Sequence, residues 1–168
     1  MELYEKKKEM IEMTYQMGHT YFLDKDYENA VVWFERAANM GHILAYADLS
    51  TCYSQGWGVE KNYDKAFQFC KVAAEGGCAS AQSNLGVLYI NGWGTYKSDV
   101  QAIYWWEKAA EQGDSSALNN LGIYYCKQSN YMLGGEYLEK AIKKGNYQFL
   151  SQFKDLCNRG LYDGYINL

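Results

Sequence analysis

Three observations predict an all-α protein built as a stacked array. The 168 residues contain no proline, so nothing in the chain enforces a break in a long helix. The stretch "SQGWGVEKNYDKAFQFCKVAAEGGC" at residues 54–78 recurs 36 residues later as "INGWGTYKSDVQAIYWWEKAAEQGD" at residues 90–114. Within each copy the apolar residues fall at helical spacing. A period of this size marks supersecondary units that bury their apolar faces by stacking. The expected organisation is one domain of four helix-pair repeats, at about residues 10–41, 42–77, 78–113 and 114–145. A capping helix at 146–158 and a tail at 159–168 complete the chain.

Each unit opens on a helix marked by Leu-Gly and a tyrosine four residues after the leucine. Met17-Gly18 with Tyr21, Leu49-Ser50 with Tyr53, Leu85-Gly86 with Tyr89 and Leu121-Gly122 with Tyr125 are the four copies. Ala45, Ala81 and Ala117 stand four residues before the leucines, which completes one helical face. A corner follows. In the middle units it contains Gly56 and Gly58, or Gly92 and Gly94; in the outer units four residues are missing and it reads "LDKDY" or "KQSNY". A phosphate-binding loop needs Lys-Ser/Thr at the start of the next helix, and neither glycine stretch has it. These glycines are expected to turn the chain.

The second helix of each unit begins behind Asp26, Asn62, Ser98 or Asn130, all residue types that cap exposed N–H groups. Its apolar stripe runs Ala30, Trp33, Phe34, Ala37, Ala38 and recurs as Ala66, Phe69, Cys70, Ala73, Ala74. Gly41, Gly77, Gly113 and Gly145 close these helices as left-handed residues past the last turn. His42, Cys78, Asp114 and Asn146 follow, at the expected start of the next helix.

Composition excludes several function classes. The net charge of −4 lacks the basic footprint of a nucleic-acid binder. No apolar run approaches the roughly 18 residues of a membrane-spanning helix. The opening "MELYEKKKEMIEM" mixes charge into every turn, unlike a signal peptide, so a cytoplasmic location is expected, with delivery as a secreted effector left open. The five cysteines form no CxxC and share no metal spacing with the two histidines, so neither metal nor cofactor is expected. His19 and His42 have no Ser-Asp or Cys-Asn companions, and no enzymatic role is assigned to them.

The ordered motif L-G-x-x-Y, G-x-G, A-x-x-W/F-x-x-x-A-A-x-x-G resembles the Sel-one-like repeat (SLR) family, relatives of tetratricopeptide repeats. The resemblance covers residues 10–145, with Ser50 in place of the usual glycine and Gly134 in place of alanine. It implies a right-handed α/α superhelix whose first helices line a concave face, and a role as an adaptor or scaffold that holds a protein or peptide. A dedicated inhibitor of a toxin or enzyme is the alternative. A β-lactam hydrolase like the disulfide-rich secreted relatives is a weaker one, because Cys70 and Cys78 lie one turn out of that register.

Carried onto this chain, the family geometry places groove residues at Tyr15, His19 and Phe22; Ala47, Thr51 and Gln55; Ser83, Val87 and Asn91; Asn119, Ile123 and Lys127. Their small hydrogen-bonding side chains suit the backbone of a bound segment; a plain solvated helix face is the competing expectation. The lysine–asparagine clamp of tetratricopeptide chaperone adaptors is absent from these positions. Trp57 and Trp93, one period apart, either pack over helix ends or offer an aromatic edge to a partner.

Overall fold

The computed structural model describes residues 1–162; residues 163–168, the end of the expected tail, lie outside the described residues. The chain runs through α1 (Glu2–Leu23), α2 (Tyr27–Asn39), α3 (Ile43–Gln55), α4 (Tyr63–Glu75), α5 (Ala79–Asn91), α6 (Asp99–Glu111), α7 (Ser115–Lys127), α8 (Tyr131–Lys143) and α9 (Leu150–Asn158). No strand occurs among the described residues. Each odd-numbered helix packs most extensively on the even-numbered helix that follows, and each pair then stacks on the next. The result is the expected α/α solenoid of four helix pairs with α9 at the end. No helix among the described residues is long and apolar enough to cross a membrane.

The caps form as their residue types predict. Asp26, Asn62, Ser98 and Asn130 accept from the amides of Asn29, Lys65, Gln101 and Leu133. Asp114 caps α7 through Ala117, and His42 caps α3 through its Nδ1, which accepts from Ala45. Cys78 stands at the α5 N-cap position without a side-chain capping bond; its thiol lies 3.3 Å from the Ser80 hydroxyl. Asn146 does not cap α9, whose N-cap position is Phe149.

Each helix pair closes on one small residue. A β-carbon added at Gly18 would stand 2.6 Å from Phe34, at Gly86 2.4 Å from Trp106, and at Gly122 2.7 Å from Leu138. In the second pair Ser50 occupies the glycine position and hydrogen-bonds Cys70, the residue at the Phe34 and Trp106 position. The larger hole residue thus meets a smaller knob. Trp106 also donates its indole N–H to the Ser83 carbonyl at 3.0 Å, which leaves no buried indole proton unpaired at that site.

The glycine corners have a second steric reason. Gly58 and Gly94 have φ of +70° and +67°, a region that side-chain-bearing residues avoid. A β-carbon there would also stand 2.2 Å from the Tyr27 carbonyl oxygen and 2.0 Å from that of Tyr63. Each corner therefore rests on the start of the second helix of the preceding pair. The short outer corners lack these glycines and turn through Lys25 (φ 62°) and Ser129 (φ 60°).

Beyond α9 the chain folds back. Tyr162 is buried, its ring lies over Gly135, and its hydroxyl donates to Glu139. Leu138, Ile142, Phe153, Leu156 and Tyr162 make one apolar cluster, distinct from a central cluster around Leu85 and a first cluster around Leu49.

Leu85 is fully buried in the central cluster, so Leu85→Ala should cost about 2–5 kcal/mol. Asn62→Ala removes one exposed cap bond and should cost less, about 0.5–2 kcal/mol; chemical denaturation of both variants checks the order. The five cysteines are free, and burial holds the Cys52 and Cys70 thiols up at about 12. In the native protein a disulfide reagent should therefore spare these two, whereas denaturation without reductant should expose all five.

Candidate functional site

Three cavities lie between consecutive first helices, and they are related by the repeat. One, of about 410 Å³, separates α3 from α5 and is lined by Thr51, Ser54, Gln55, Asn84, Val87 and Trp93 among others. The next, of about 460 Å³ between α5 and α7, is lined by the residues one period later, Val87, Ile90, Asn91, Asn120 and Ile123. The third, of about 400 Å³ between α7 and α9, has Ile123, Cys126, Lys127, Gln152, Asp155 and Leu156. Neighbouring cavities share wall residues: Val87 joins the first to the second, and Ile123 and Lys127 join the second to the third. Together they form a continuous groove along the first-helix side.

Thr51, Gln55, Val87, Asn91, Ile123 and Lys127 line these cavities as expected. Three predicted residues do not face open groove. Ser83 and Asn119 are 3% and 1% exposed, and Tyr15 is 7% exposed beneath the stacked His42 ring. Ala47 is half-buried and packs against the central cluster. The cause is that a first helix inside the stack is covered from three directions: by its own second helix and by the pairs on either side. On α5 buried residues therefore occupy most of the circumference, and only a narrow stripe remains: Ser80, Asn84, Val87 and Asn91. At this turn the lining residues are Asn84 and Asn120, each one position after the expected Ser83 and Asn119. Glutamate at position 83 or 119 would place an unpaired charge in the interior, which costs several kcal/mol; such variants should destabilise the fold and so do not probe the groove.

The residues that the sequence reasoning missed form a column along the groove: Asp48, Asn84, Asn120 and Gln152. The first three recur at the 36-residue period directly before Leu49, Leu85 and Leu121, a signal visible in the aligned repeats. Three members are amides, which donate and accept at once. Asp48 is the exception.

Around Asp48 the N-terminal end of the groove gathers both histidines of the chain. The Tyr15 hydroxyl hydrogen-bonds Asp48. Tyr15 stacks on His42 with ring centroids 4.0 Å apart and meets His19 edge-on at 5.6 Å. His42 Nε2 lies 3.2 Å from Glu12 Oε2. The second carboxylate oxygen of Asp48 is buried without a partner. Burial raises the Asp48 carboxyl above its ordinary range, opposed by the Tyr15 hydrogen bond and the two histidines. The same burial raises the Tyr15 hydroxyl. Phe22 is half-buried near this cluster and packs edge-on to Trp57 at 5.6 Å. Among the described residues no group of three His, Cys, Asp or Glu could hold a metal ion.

Both corner tryptophans cover helix starts. Trp57 stacks on Tyr27 at 5.5 Å and Trp93 on Tyr63 at 5.0 Å, leaving them 36% and 40% exposed. Trp93 also lines the α3–α5 cavity, so this corner stands at its rim.

The Sel1 repeat family matches the chain at residues 13–42, 43–78, 79–114 and 115–146. The chain is a Sel1-repeat protein. Among solved structures, a protective antigen of uropathogenic Escherichia coli strains with an SLR fold is similar at a TM-score of 0.83 and 31% identity, over 93% of this chain and 36% of that one. A Sel1 repeat protein from Oxalobacter formigenes gives 0.83 and 25%, over 89% of this chain and 64% of that one. The chain thus spans about a third of the first relative and under two thirds of the second. An immunity protein from Pseudomonas aeruginosa aligns at only 0.46 and 22% identity, too loosely to bear on function. None of the curated proteins matches significantly. Membership of the Sel1 repeat family suggests a helical scaffold for protein interaction.

Asp48 makes the stability of the array pH-dependent in a defined direction. Its raised carboxyl binds a proton more tightly folded than unfolded, so its contribution is full below the unfolded value of about 3.9 and is lost as pH rises through the folded value. Asp48→Asn, which restores the amide found in the other columns, should be more stable than the parent at pH 7. The gap should shrink as pH falls towards about 4, as thermal melts across that range would record.

Proposed function

We propose that the protein is a non-enzymatic adaptor that holds an extended segment of a partner protein in the groove along α3, α5, α7 and α9. The observation that carries this reading is the register of the three cavities, each with an amide at the same place and each sharing wall residues with the next. An extended chain advances about 3.3 Å per residue and presents side chains alternately. A row of similar crevices suits such a chain. Side-chain amides between apolar patches supply what its backbone needs: hydrogen-bond partners for N–H and C=O, and cover for its side chains. The exposed corner Trp93 adds an aromatic anchor at the rim, of a type common at interface centres. The general role of Sel1 repeats supports the same reading.

Photo-crosslinking tests it directly. Benzoylphenylalanine placed at Asn84 or Asn120 in the groove should yield a covalent adduct with the partner in a native extract. The same group at Val32 or Val72, exposed on second helices, should yield none. Adducts from the second-helix positions alone would place the interface on the opposite side.

A further inference from the structure

The three cavities share a plan but not a charge. Lys61 and Lys97 stand one period apart, at the ends of equivalent corners, and each lines its own crevice. The Lys61 ammonium is occupied: it lies 4.7 Å over the Tyr63 ring. One period on, the tyrosine is replaced by Asp99, whose carboxylate accepts the Tyr124 hydroxyl at 3.2 Å. Lys97 lies over no ring among the described residues. Lys127 enters the same crevice from the far end of α7. Among the described residues neither ammonium takes part in an ion pair or a cation–ring contact. The α5–α7 crevice therefore holds two uncommitted cations against one hydrogen-bonded carboxylate, in a chain whose net charge is −4. Asn91 and Asn120 add amide donors beside them, and Ile90 and Ile123 supply apolar walls.

We infer that the α5–α7 crevice receives an acidic side chain, a glutamate or aspartate within the partner's segment, from Lys97 and Lys127. The inference rests on the groove reading above and specifies its chemistry. A carboxylate accepts from both ammonium groups, and it is partly desolvated between Ile90 and Ile123, where such charge-assisted bonds are stronger than in water. The acceptor belongs to the interior of a segment, not to a chain end. The crevice opens through Val87 into the α3–α5 cavity and through Ile123 and Lys127 into the α7–α9 cavity, so the bound chain continues on both sides.

The test uses the full chain, immobilised, and a library of nonapeptides blocked at both ends with glutamate, glutamine or lysine fixed at the centre and the other positions varied. Glutamate-centred peptides should be retained at least tenfold over the other two sets. The preference should vanish in the Lys97→Gln/Lys127→Gln variant and survive in Lys25→Gln/Lys154→Gln, which loses the same net charge elsewhere. Circular dichroism confirms that both variants remain helical. Retention without a preference for glutamate, or a preference that survives loss of Lys97 and Lys127, overturns the acidic assignment and leaves the groove reading standing. Retention of no peptide set overturns both.

Discussion

Every helix pair in this array depends on how closely two helices can approach at one point. Helices pack with axes about 8–10 Å apart, and the lower end of that range needs a residue without a side chain at the crossing. Gly18, Gly86 and Gly122 provide it, and Phe34, Trp106 and Leu138 fill the resulting hole. The second pair solves the same problem with Ser50 and Cys70, a larger floor under a smaller knob that are also joined by a hydrogen bond. One chain thus contains four solutions to a single volume constraint, as close packing demands. Once each pair is closed, the spacing of first helices along the stack follows, and so do the equivalent positions of the crevices between them.

What was legible in the sequence is what neighbouring residues decide among themselves. Asp26, Asn62, Ser98 and Asn130 cap helices because their side chains reach an amide three residues on, and Gly41 to Gly145 end helices by backbone conformation alone. The period, the helix pairs and the solenoid followed from such signals. The groove was legible to within one residue. Whether position 83 or 84 meets water depends on how much of α5 is covered by α4, α6 and α7, and no periodicity within α5 contains that information. The gathering of His19, His42 and Asp48 was hidden for another reason. The outer repeats lack four corner residues, so α1 and α3 are related by 32 residues while the middle helices are related by 36. A comparison at one period never brings these three together.

Asp48 shows what the groove tolerates. The other members of its column, Asn84, Asn120 and Gln152, are neutral amides, which lose less on leaving water than a carboxylate does. Asp48 keeps one oxygen buried and unpaired and is partly compensated by Tyr15 and two histidines from outside its own helical turn. Asn119 is similar, with both amide atoms enclosed and unpaired. Unmet polarity of this kind lowers stability, and both residues belong to first helices, α3 and α7.

The division of the apolar interior into three clusters has a consequence for how the protein yields. Tyr46 packs against both the first and the central cluster, which ties those two into one cooperative block. No residue belongs to both the central cluster and the C-terminal one around Leu138 and Tyr162. Their connection is the packing of α7 on α6 and of α8 on α7. In an array where stability is a sum over neighbours, a loss of packing around Leu138 and Tyr162 should weaken the α7–α9 crevice before it reaches the α3–α5 one.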